Sequence, residues 1–228
     1  MKTIGLIGGM SWQSSAEYYR IMNEEVKHRL GGLHSARILM YSVDFASIHS
    51  HMFADDWESA GRELAEAARV LEKGGADVIL IGTNTMHIVA PFVEEAVSVP
   101  VLHIADATAE AVREQGGAKV GLLGTAFTME KEFYRGRLAG HGIEVLVPSK
   151  ADRELVDRVI FDEMCKGIFS DDSRHEYVRI IGEFASKGAE LVVLGCTEIG
   201  LLVRPEDTDV PLIDTCRVHA VSAVKAAV

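Results

Sequence analysis

One strand-and-loop segment occurs twice in this chain, and the two copies strongly limit the folds that the chain can adopt. The first copy reads GADVILIGTNT at residues 75–85, and the second reads GAELVVLGCTE at residues 188–198. Each holds a continuous apolar run followed by a glycine and polar residues. A run without polar alternation is typical of a strand buried on both faces of a parallel sheet. Aligned without a gap, the copies place Thr83 at the position of Cys196.

The duplication extends beyond this segment. IGLIG at residues 4–8 is matched by VGLLG at 120–124, YYR at 18–20 by FYR at 133–135, and VPVL at 99–102 by VPLI at 210–213. The spacing between copies is nearly constant, which predicts an α/β fold of two pseudo-symmetric lobes, each a parallel sheet flanked by helices. We expect residues 1–100 plus 210–228 to form the first lobe and residues 101–209 the second. Ligands of open α/β sheets bind beyond the carboxyl ends of the strands, so we expect the active site in the cleft between the lobes.

Apolar runs of strand length alternate with helical patterns along the chain, as expected for such sheets. The predicted strands cover residues 3–7, 36–43, 78–81, 101–104, 120–123, 145–147 and 191–194. The predicted helices cover residues 14–30, 57–73, 107–114, 130–140, 152–166 and 171–187.

Charge and cysteine content exclude several classes of function. The net charge of −11 argues against nucleic acid or an anionic membrane as the partner. Three widely spaced cysteines do not form a disulfide framework, and no zinc-ligand spacing is present. No apolar run is long enough to span a bilayer, and the apolar start of the chain reads as a strand. We therefore predict a cytoplasmic protein without a structural or catalytic zinc.

Cys196 and Thr83 are the leading candidates for catalysis. Both directly follow a buried strand, where side chains reach a ligand. A thiol and a hydroxyl at matched positions suggest proton transfer at a carbon held between them. We expect a helix N-terminus beyond the strand to lower the pKa of Cys196. The alternative is that Cys196 is a small buried apolar residue.

Polar residues at other strand ends are candidates for binding a substrate. Asn84 and Thr85 suit a carboxylate, although they could equally cap the next helix. The loop after the first strand reads GGMSW, with Met10 and Ser11 at its centre, and Thr125 lies at the matching place in the second half. The glycines allow a close approach of backbone and ligand, but the loop lacks the Gly-x-Gly-x-x-Gly pattern of dinucleotide sites.

The remaining reactive residues allow two interpretations each. Lys166 could hold a side-chain carboxylate or be a solvated helix-end lysine. His87 and His219 follow the matched segments and could tune a thiol or pack in the core. Cys165 and Cys216 are interpreted as packing residues.

The sequence resembles the aspartate/glutamate racemases that need no pyridoxal phosphate. VVLGCTEIGLL at residues 192–202 is similar to their second cysteine signature, and ILIGTNTMH at residues 79–87 to their first, with Thr83 in the place of the usual cysteine. GGMSW at residues 8–12 is similar to the aspartate racemase branch. The resemblance covers the whole chain and implies racemisation of a small acidic amino acid by two acid/base groups, in a homodimer.

The resemblance also implies roles for individual residues. Cys196 matches the thiol that acts on the face of the L-enantiomer, and Thr83 matches the other thiol. The α-carboxylate and amino group are expected at Asn84, Thr85 and Thr197. The remaining binding positions implied are Met10, Ser11, Thr125 and, more loosely, Lys166. A hydroxyl is a far weaker acid than a thiol, so we expect exchange of the α-proton from L-aspartate or L-glutamate and slow reaction of the D-enantiomers.

Other functions remain open from the sequence. Relatives with a single cysteine at the second position can protonate an enolate formed by decarboxylation, as arylmalonate decarboxylases do. Loss of one thiol could also leave a protein that only binds a dicarboxylic amino acid. Hydrolysis with Cys196 as a covalent nucleophile lacks a convincing base.

Overall fold

The computed structural model describes all 228 residues and divides the chain into two compact units. The first unit consists of Met1–Ile104 together with His219–Val228, and the second consists of Ala105–Val218. Each unit contains one parallel sheet of four strands.

The sheet of the first unit has its two central strands completely buried. Its strands are β1 (Ile4–Gly8), β2 (Ile38–Ser42), β3 (Val78–Ile81) and β4 (Val101–Leu102), in the order β2-β1-β3-β4. β1 and β3 are buried at every residue, as their continuous apolar sequences predict. Its helices are α1 (Trp12–Leu30), α2 (Phe45–Phe53), α3 (Trp57–Lys73) and α4 (Ala90–Ala96), and a 3₁₀ helix covers Thr85–Val89. The next helix, α5 (Ile104–Glu114), has only its first residue in this unit.

The second unit repeats this plan. Its strands are β5 (Lys119–Gly124), β6 (Glu144–Leu146), β7 (Leu191–Gly195) and β8 (Leu212–Asp214), in the order β6-β5-β7-β8. After α5, its helices are α6 (Ala126–Glu130), α7 (Glu132–Gly140), α8 (Lys150–Asp162), α9 (Asp171–Ser186) and α10 (Ile199–Leu202), and 3₁₀ helices cover Met164–Lys166 and Pro205–Asp207. The last helix, α11 (Thr215–Ala227), begins in this unit and continues into the first unit at His219. The two sheets therefore share one strand order, and the predicted α/β fold with two duplicated lobes is confirmed.

The helices begin where side chains cap their free backbone N–H groups. Asp56 accepts a hydrogen bond from the N–H of Ser59 at the start of α3, and Ser170 accepts one from Ser173 at the start of α9. The predicted helix over residues 152–166 is shorter in the structure. Its α-helical part, α8, ends at Asp162, and the last three residues form the 3₁₀ helix Met164–Lys166.

The chain segment after residue 209 differs from the prediction. We expected residues 210–228 to complete the first lobe, but β8 pairs with β7 in the sheet of the second unit. Only the part of α11 from His219 onward groups with the first unit. The physical reason is the repeat itself, because β8 is the counterpart of β4 and fills the same place beside its own central strand.

None of the helices combines the length and the apolar character that crossing a membrane requires. No group of three or more His, Cys, Asp or Glu side chains is arranged to hold a metal ion.

Candidate active site

The predicted site residues of the first unit lie at one edge of its sheet. β1 and β3 are parallel neighbours with Ile7 beside Ile81, so the loops that follow them leave the sheet together. Met10 and Ser11 come after β1, whereas Thr83, Asn84 and Thr85 come after β3. The structure therefore brings all five predicted residues of this unit to the carboxyl edge of β1 and β3. Thr83 is half-buried and the other four are buried.

The loop after β1 is held by a short network of hydrogen bonds. Ser15 Oγ accepts from the N–H of Gly9 at 2.8 Å and donates to the carbonyl oxygen of Ser11 at 2.9 Å. Ser11 is the N-cap of α1, with its hydroxyl accepting from the N–H of Ser14. Gly9 has φ of +94°, and a side chain there would collide with the carbonyl oxygen of Val43. This loop is thus fixed by its own contacts.

The loop after β3 is fixed by His87. Its Nδ1 lies 2.8 Å from the carbonyl oxygen of Thr83, and its Nε2 lies 3.2 Å from the backbone nitrogen of Ile104. A carbonyl only accepts and a backbone N–H only donates, so Nδ1 carries the proton and Nε2 is the acceptor. The neutral ring fits both partners. Asn84 makes no side-chain cap to the 3₁₀ helix that follows it.

Three histidines form a buried group behind this loop. The ring centroids of His87 and His103 are 4.4 Å apart, and those of His87 and His219 are 5.8 Å apart. Burial, followed by the neighbouring His103 and His219, holds the pKa of His87 well below its ordinary value. His87 and His219 are therefore core histidines of the first unit, which is one of the two interpretations that the sequence left open.

The predicted residues of the second unit also share one edge. Gly124 ends β5 beside Gly195, the last residue of β7, so Thr125 and Cys196 leave the sheet side by side. Thr125 is the N-cap of α6, and its Oγ1 accepts from the N–H of Thr128 at 3.3 Å. Thr125, Cys196 and Thr197 are all buried.

Cys196 contacts a buried carboxylate. Its Sγ donates a hydrogen bond to Oε2 of Glu198 at 2.9 Å, and Oγ1 of Thr197 donates to the same oxygen at 3.0 Å. Burial, followed by the charge of Glu198, raises the pKa of Cys196 well above its ordinary value. The expected lowering by a helix N-terminus is wrong, because α10 has only four residues and the nearest charge is negative.

Lys166 lies in a 3₁₀ helix and not in a loop that follows a strand. It closes the 3₁₀ helix after α8, its side chain is 60% exposed, and Nζ lies 3.3 Å from Oδ1 of Asp162. Its neighbour Cys165 is half-buried and packs against the core cluster that contains Cys196. Burial, followed by the charge of Glu198, raises the pKa of Cys165 to about 12. Cys216 is buried.

The sequence reasoning missed the contact made by Glu198. The residue was visible as an acidic side chain in the polar run after β7, two positions from Cys196. It is only 3% exposed, and glutamate is rarely buried to this extent without partners. A charged residue in the polar run that follows a buried strand was the available signal.

Each of the two sheets presents polar side chains at its carboxyl edge, where ligands of α/β proteins bind, and those of the second unit include the thiol of Cys196. A sequence model of the family described as Asp/Glu/Hydantoin racemase matches residues 7–223. The chain belongs to this family and is an isomerase of the racemase class.

Known proteins similar to the chain agree with this family over its full length. A broad-specificity amino-acid racemase, RacX of Bacillus subtilis (strain 168), is 23% identical, and the match covers 97% of this chain and 96% of that protein. A crystal structure described as a candidate Asp/Glu racemase from Yersinia pestis has 51% sequence identity and a TM-score of 0.92, covering 100% of this chain and 99% of that one. An aspartate racemase homologue from Pyrococcus horikoshii OT3 has 34% identity and a TM-score of 0.87, with coverage of 100% and 99%.

Proposed function

We propose that the protein moves the α-proton of aspartate or glutamate without a cofactor, with Cys196 as the acid/base group for the L-enantiomer. The observation that carries the proposal is the position of Cys196, buried at the carboxyl end of β7 with its thiol proton in a hydrogen bond to Glu198. A thiol at this place can exchange protons with a bound ligand. The family membership supports the reaction class, and the similarity to aspartate and glutamate racemases supports acidic amino acids as substrates.

The proposed reaction begins with the thiolate of Cys196. It removes the α-proton, forming an S–H bond while the electron pair of the broken C–H bond passes to the α-carbon and its carboxylate. Asn84, Thr85 and Thr197 are proposed to hold the α-carboxylate and the amino group. Such fixed hydrogen-bond donors stabilise the charge that develops in the transition state. The remaining proposed binding residues are Met10, Ser11, Thr125 and Lys166.

Thr83 makes the proposed enzyme asymmetric. It takes the position that a second thiol takes in the family that the sequence resembles. Its hydroxyl is too weak an acid to serve as a resting base near neutral pH, although it can pass on a proton through water. We therefore propose that the L-enantiomer is the favoured substrate.

The experiment that tests this proposal follows α-proton exchange in D₂O by NMR, separately for L- and D-aspartate and for L- and D-glutamate. We expect loss of the α-proton signal from an L-enantiomer, slower loss from its D-enantiomer, and no exchange with Cys196→Ala. Cys216→Ala is the matched control, because it removes a buried thiol of the same unit that does not follow β7. Equal rates from both enantiomers, or a fully active Cys196→Ala, would contradict the proposal.

The single thiol at a strand end also suits the decarboxylase alternative. Release of carbon dioxide from an aryl-substituted malonate, without α-proton exchange of any amino acid, would favour that function. Melting shifts with aspartate or glutamate, but neither reaction, would favour a binding protein. The homodimer and the cytoplasmic location stay predictions. Sedimentation of the purified protein tests the homodimer.

A further inference from the structure

Just after the end of β7, a hydrogen bond joins the thiol of Cys196 to the carboxylate of Glu198. Sγ and Oε2 are 2.9 Å apart, and Oε2 also accepts the hydroxyl of Thr197 at 3.0 Å. Glu198 is 3% exposed and Cys196 is 9% exposed. Oε2 of Glu198 is thus the acceptor of both hydrogen bonds. The thiol proton therefore already points at a group that can take it.

We propose that Glu198 is the base that takes the thiol proton of Cys196 and so forms the thiolate that attacks the substrate. In this step the S–H bond breaks, an O–H bond forms on Oε2, and the electron pair stays on sulfur. The thiolate then removes the α-proton and becomes a thiol again. Glu198 returns its proton to solvent when the α-carbon is reprotonated, so that charge and protons balance. This inference rests on the proposed function.

The surroundings of the sulfur explain why a local base is needed. The titratable groups that act on Cys196 include Glu198 in its own loop, Cys165 in the 3₁₀ helix after α8, and Tyr177 in α9. None of these three can be positively charged, and burial also opposes the thiolate, so the pKa of Cys196 is raised. Spontaneous ionisation is thus suppressed in the resting protein. A carboxylate in contact with the sulfur is placed to accept its proton.

The carboxylate of Glu198 should affect the acidity of the thiol and the rate of the reaction in opposite ways. Measuring both quantities therefore distinguishes a base from a residue that acts only through its charge. Its negative charge disfavours the thiolate, so its removal should make Cys196 ionise at lower pH. If Glu198 acted only through its charge, the variant would hold more thiolate near neutral pH and react faster. If Glu198 accepts the proton, the reaction slows although the thiol has become more acidic.

The test is Glu198→Gln, which keeps the shape of the side chain and removes its basic oxygen. Two quantities are measured: the pH midpoint for alkylation of Cys196 by iodoacetamide, read by peptide mass spectrometry, and the rate of α-proton exchange of the L-substrate in D₂O. We expect the midpoint to move down by on the order of one pH unit. We expect the exchange rate to fall by about 10²- to 10³-fold. Glu198→Asp, which keeps a carboxylate, should recover part of the rate.

Glu163→Gln is the matched control. Glu163 is another carboxylate of the second unit that accepts two hydroxyls, from Ser170 at 3.1 Å and Ser173 at 2.7 Å, and it has no hydrogen bond to Cys196. The control removes the same charge and should leave both quantities within about twofold of the wild type, since the carboxylate of Glu163 bonds to Ser170 and Ser173 and not to the sulfur. An equal loss of exchange in both variants would show a general effect and overturn the proposal.

The other possible results also decide whether Glu198 is the base for Cys196. Wild-type exchange in Glu198→Gln overturns the proposal, and so does an unchanged alkylation midpoint, which would mean that the carboxylate does not act on the sulfur. Absence of exchange in the wild type is a failure of the proposed function, and it is recognised before any variant is compared.

Discussion

The phenol of Tyr18 donates a hydrogen bond to Nδ1 of His219, which lies 201 residues later in the chain, and the two atoms are 2.8 Å apart. On the other side of the ring, Nε2 lies 2.8 Å from the carbonyl oxygen of Leu102 and must donate, because a carbonyl only accepts. Both nitrogens of the neutral ring therefore have a suitable partner. The bonds tie α1, α11 and β4 together inside the first unit.

This buried imidazole should make the protein sensitive to acid. Burial lowers the pKa of His219 from 6.5 to about 4, so the unfolded chain binds a proton more readily than the folded one. The stabilisation is fully present above about pH 6.5 and is lost as the pH falls towards 4. Between pH 7.5 and pH 5, His219 alone should lower the free energy of unfolding by about 2 kcal/mol. Urea unfolding at the two pH values measures this change.

His219→Gln removes the titrating group and should make this loss of stability smaller. His28→Gln is the control, because His28 is exposed on α1, and it should keep the wild-type dependence. Part of the acid sensitivity should remain in His219→Gln, since burial also lowers the pKa of His87. A His219→Gln protein that loses as much stability as the wild type would contradict the assignment.

Removing the hydroxyl of Tyr18 should weaken the first unit. Tyr18→Phe leaves Nδ1 of His219 buried without its donor, and such a loss costs about 1–3 kcal/mol. The free energy of unfolding in urea at pH 7.5 measures it. Tyr19→Phe is the neighbouring control, because Tyr19 is 57% exposed and should change stability by less than about 0.5 kcal/mol. Equal effects of the two substitutions would be inconsistent with a specific bond.

A thiol at position 83 should make the reaction more symmetric. Thr83→Cys replaces a hydroxyl by a much stronger acid, so exchange of the α-proton from the D-enantiomer should rise by about 10- to 100-fold. NMR in D₂O gives both rates. Thr83→Ser keeps a hydroxyl and should leave the D-rate low. If Thr83→Ser and Thr83→Cys raise that rate alike, acidity at this position is not what limits the reaction.

Two glycines of the second unit should respond to alanine in opposite directions. A Cβ at Gly121, in β5, would lie 2.5 Å from the ring of Phe184, so Gly121→Ala should destabilise the protein by about 1–3 kcal/mol. Gly182 is exposed within α9 with no atom near its Cβ position, and Gly182→Ala should stabilise by about 0.5–1 kcal/mol. Thermal unfolding of both variants gives the two signs, and a stabilising Gly121→Ala would refute the close packing.

The sequence predicts best the elements with a continuous or strongly periodic apolar pattern. β3 and α3 have the predicted bounds, because one is an uninterrupted apolar run and the other an amphipathic helix that begins after the capping residue Asp56. α2 was not predicted, since its residues FASIHSHMF carry no clear helical period, although Asp44 caps it. β8 has only three residues and is defined by its pairing with β7, which a local pattern does not reveal.

The candidate site was predictable in its location but not in its chemistry. Polar residues after buried strands indicated Cys196, Thr83 and their neighbours, because strand ends determine where side chains emerge. The proton affinity of Cys196 depends on which way the side chain of Glu198 turns, and only a folded structure gives that. The protonated nitrogen of His219 likewise depends on Leu102, 117 residues away in the chain.

The division of the chain has a consequence for its synthesis. The second unit is one continuous stretch, Ala105–Val218, whereas the first unit needs residues from both ends of the sequence. On the ribosome, β8 of the second unit is made before His219, so its sheet can be complete while the nascent first unit still lacks its last helical segment. We expect the bond between Tyr18 and His219 to be among the last native contacts that a newly made chain acquires.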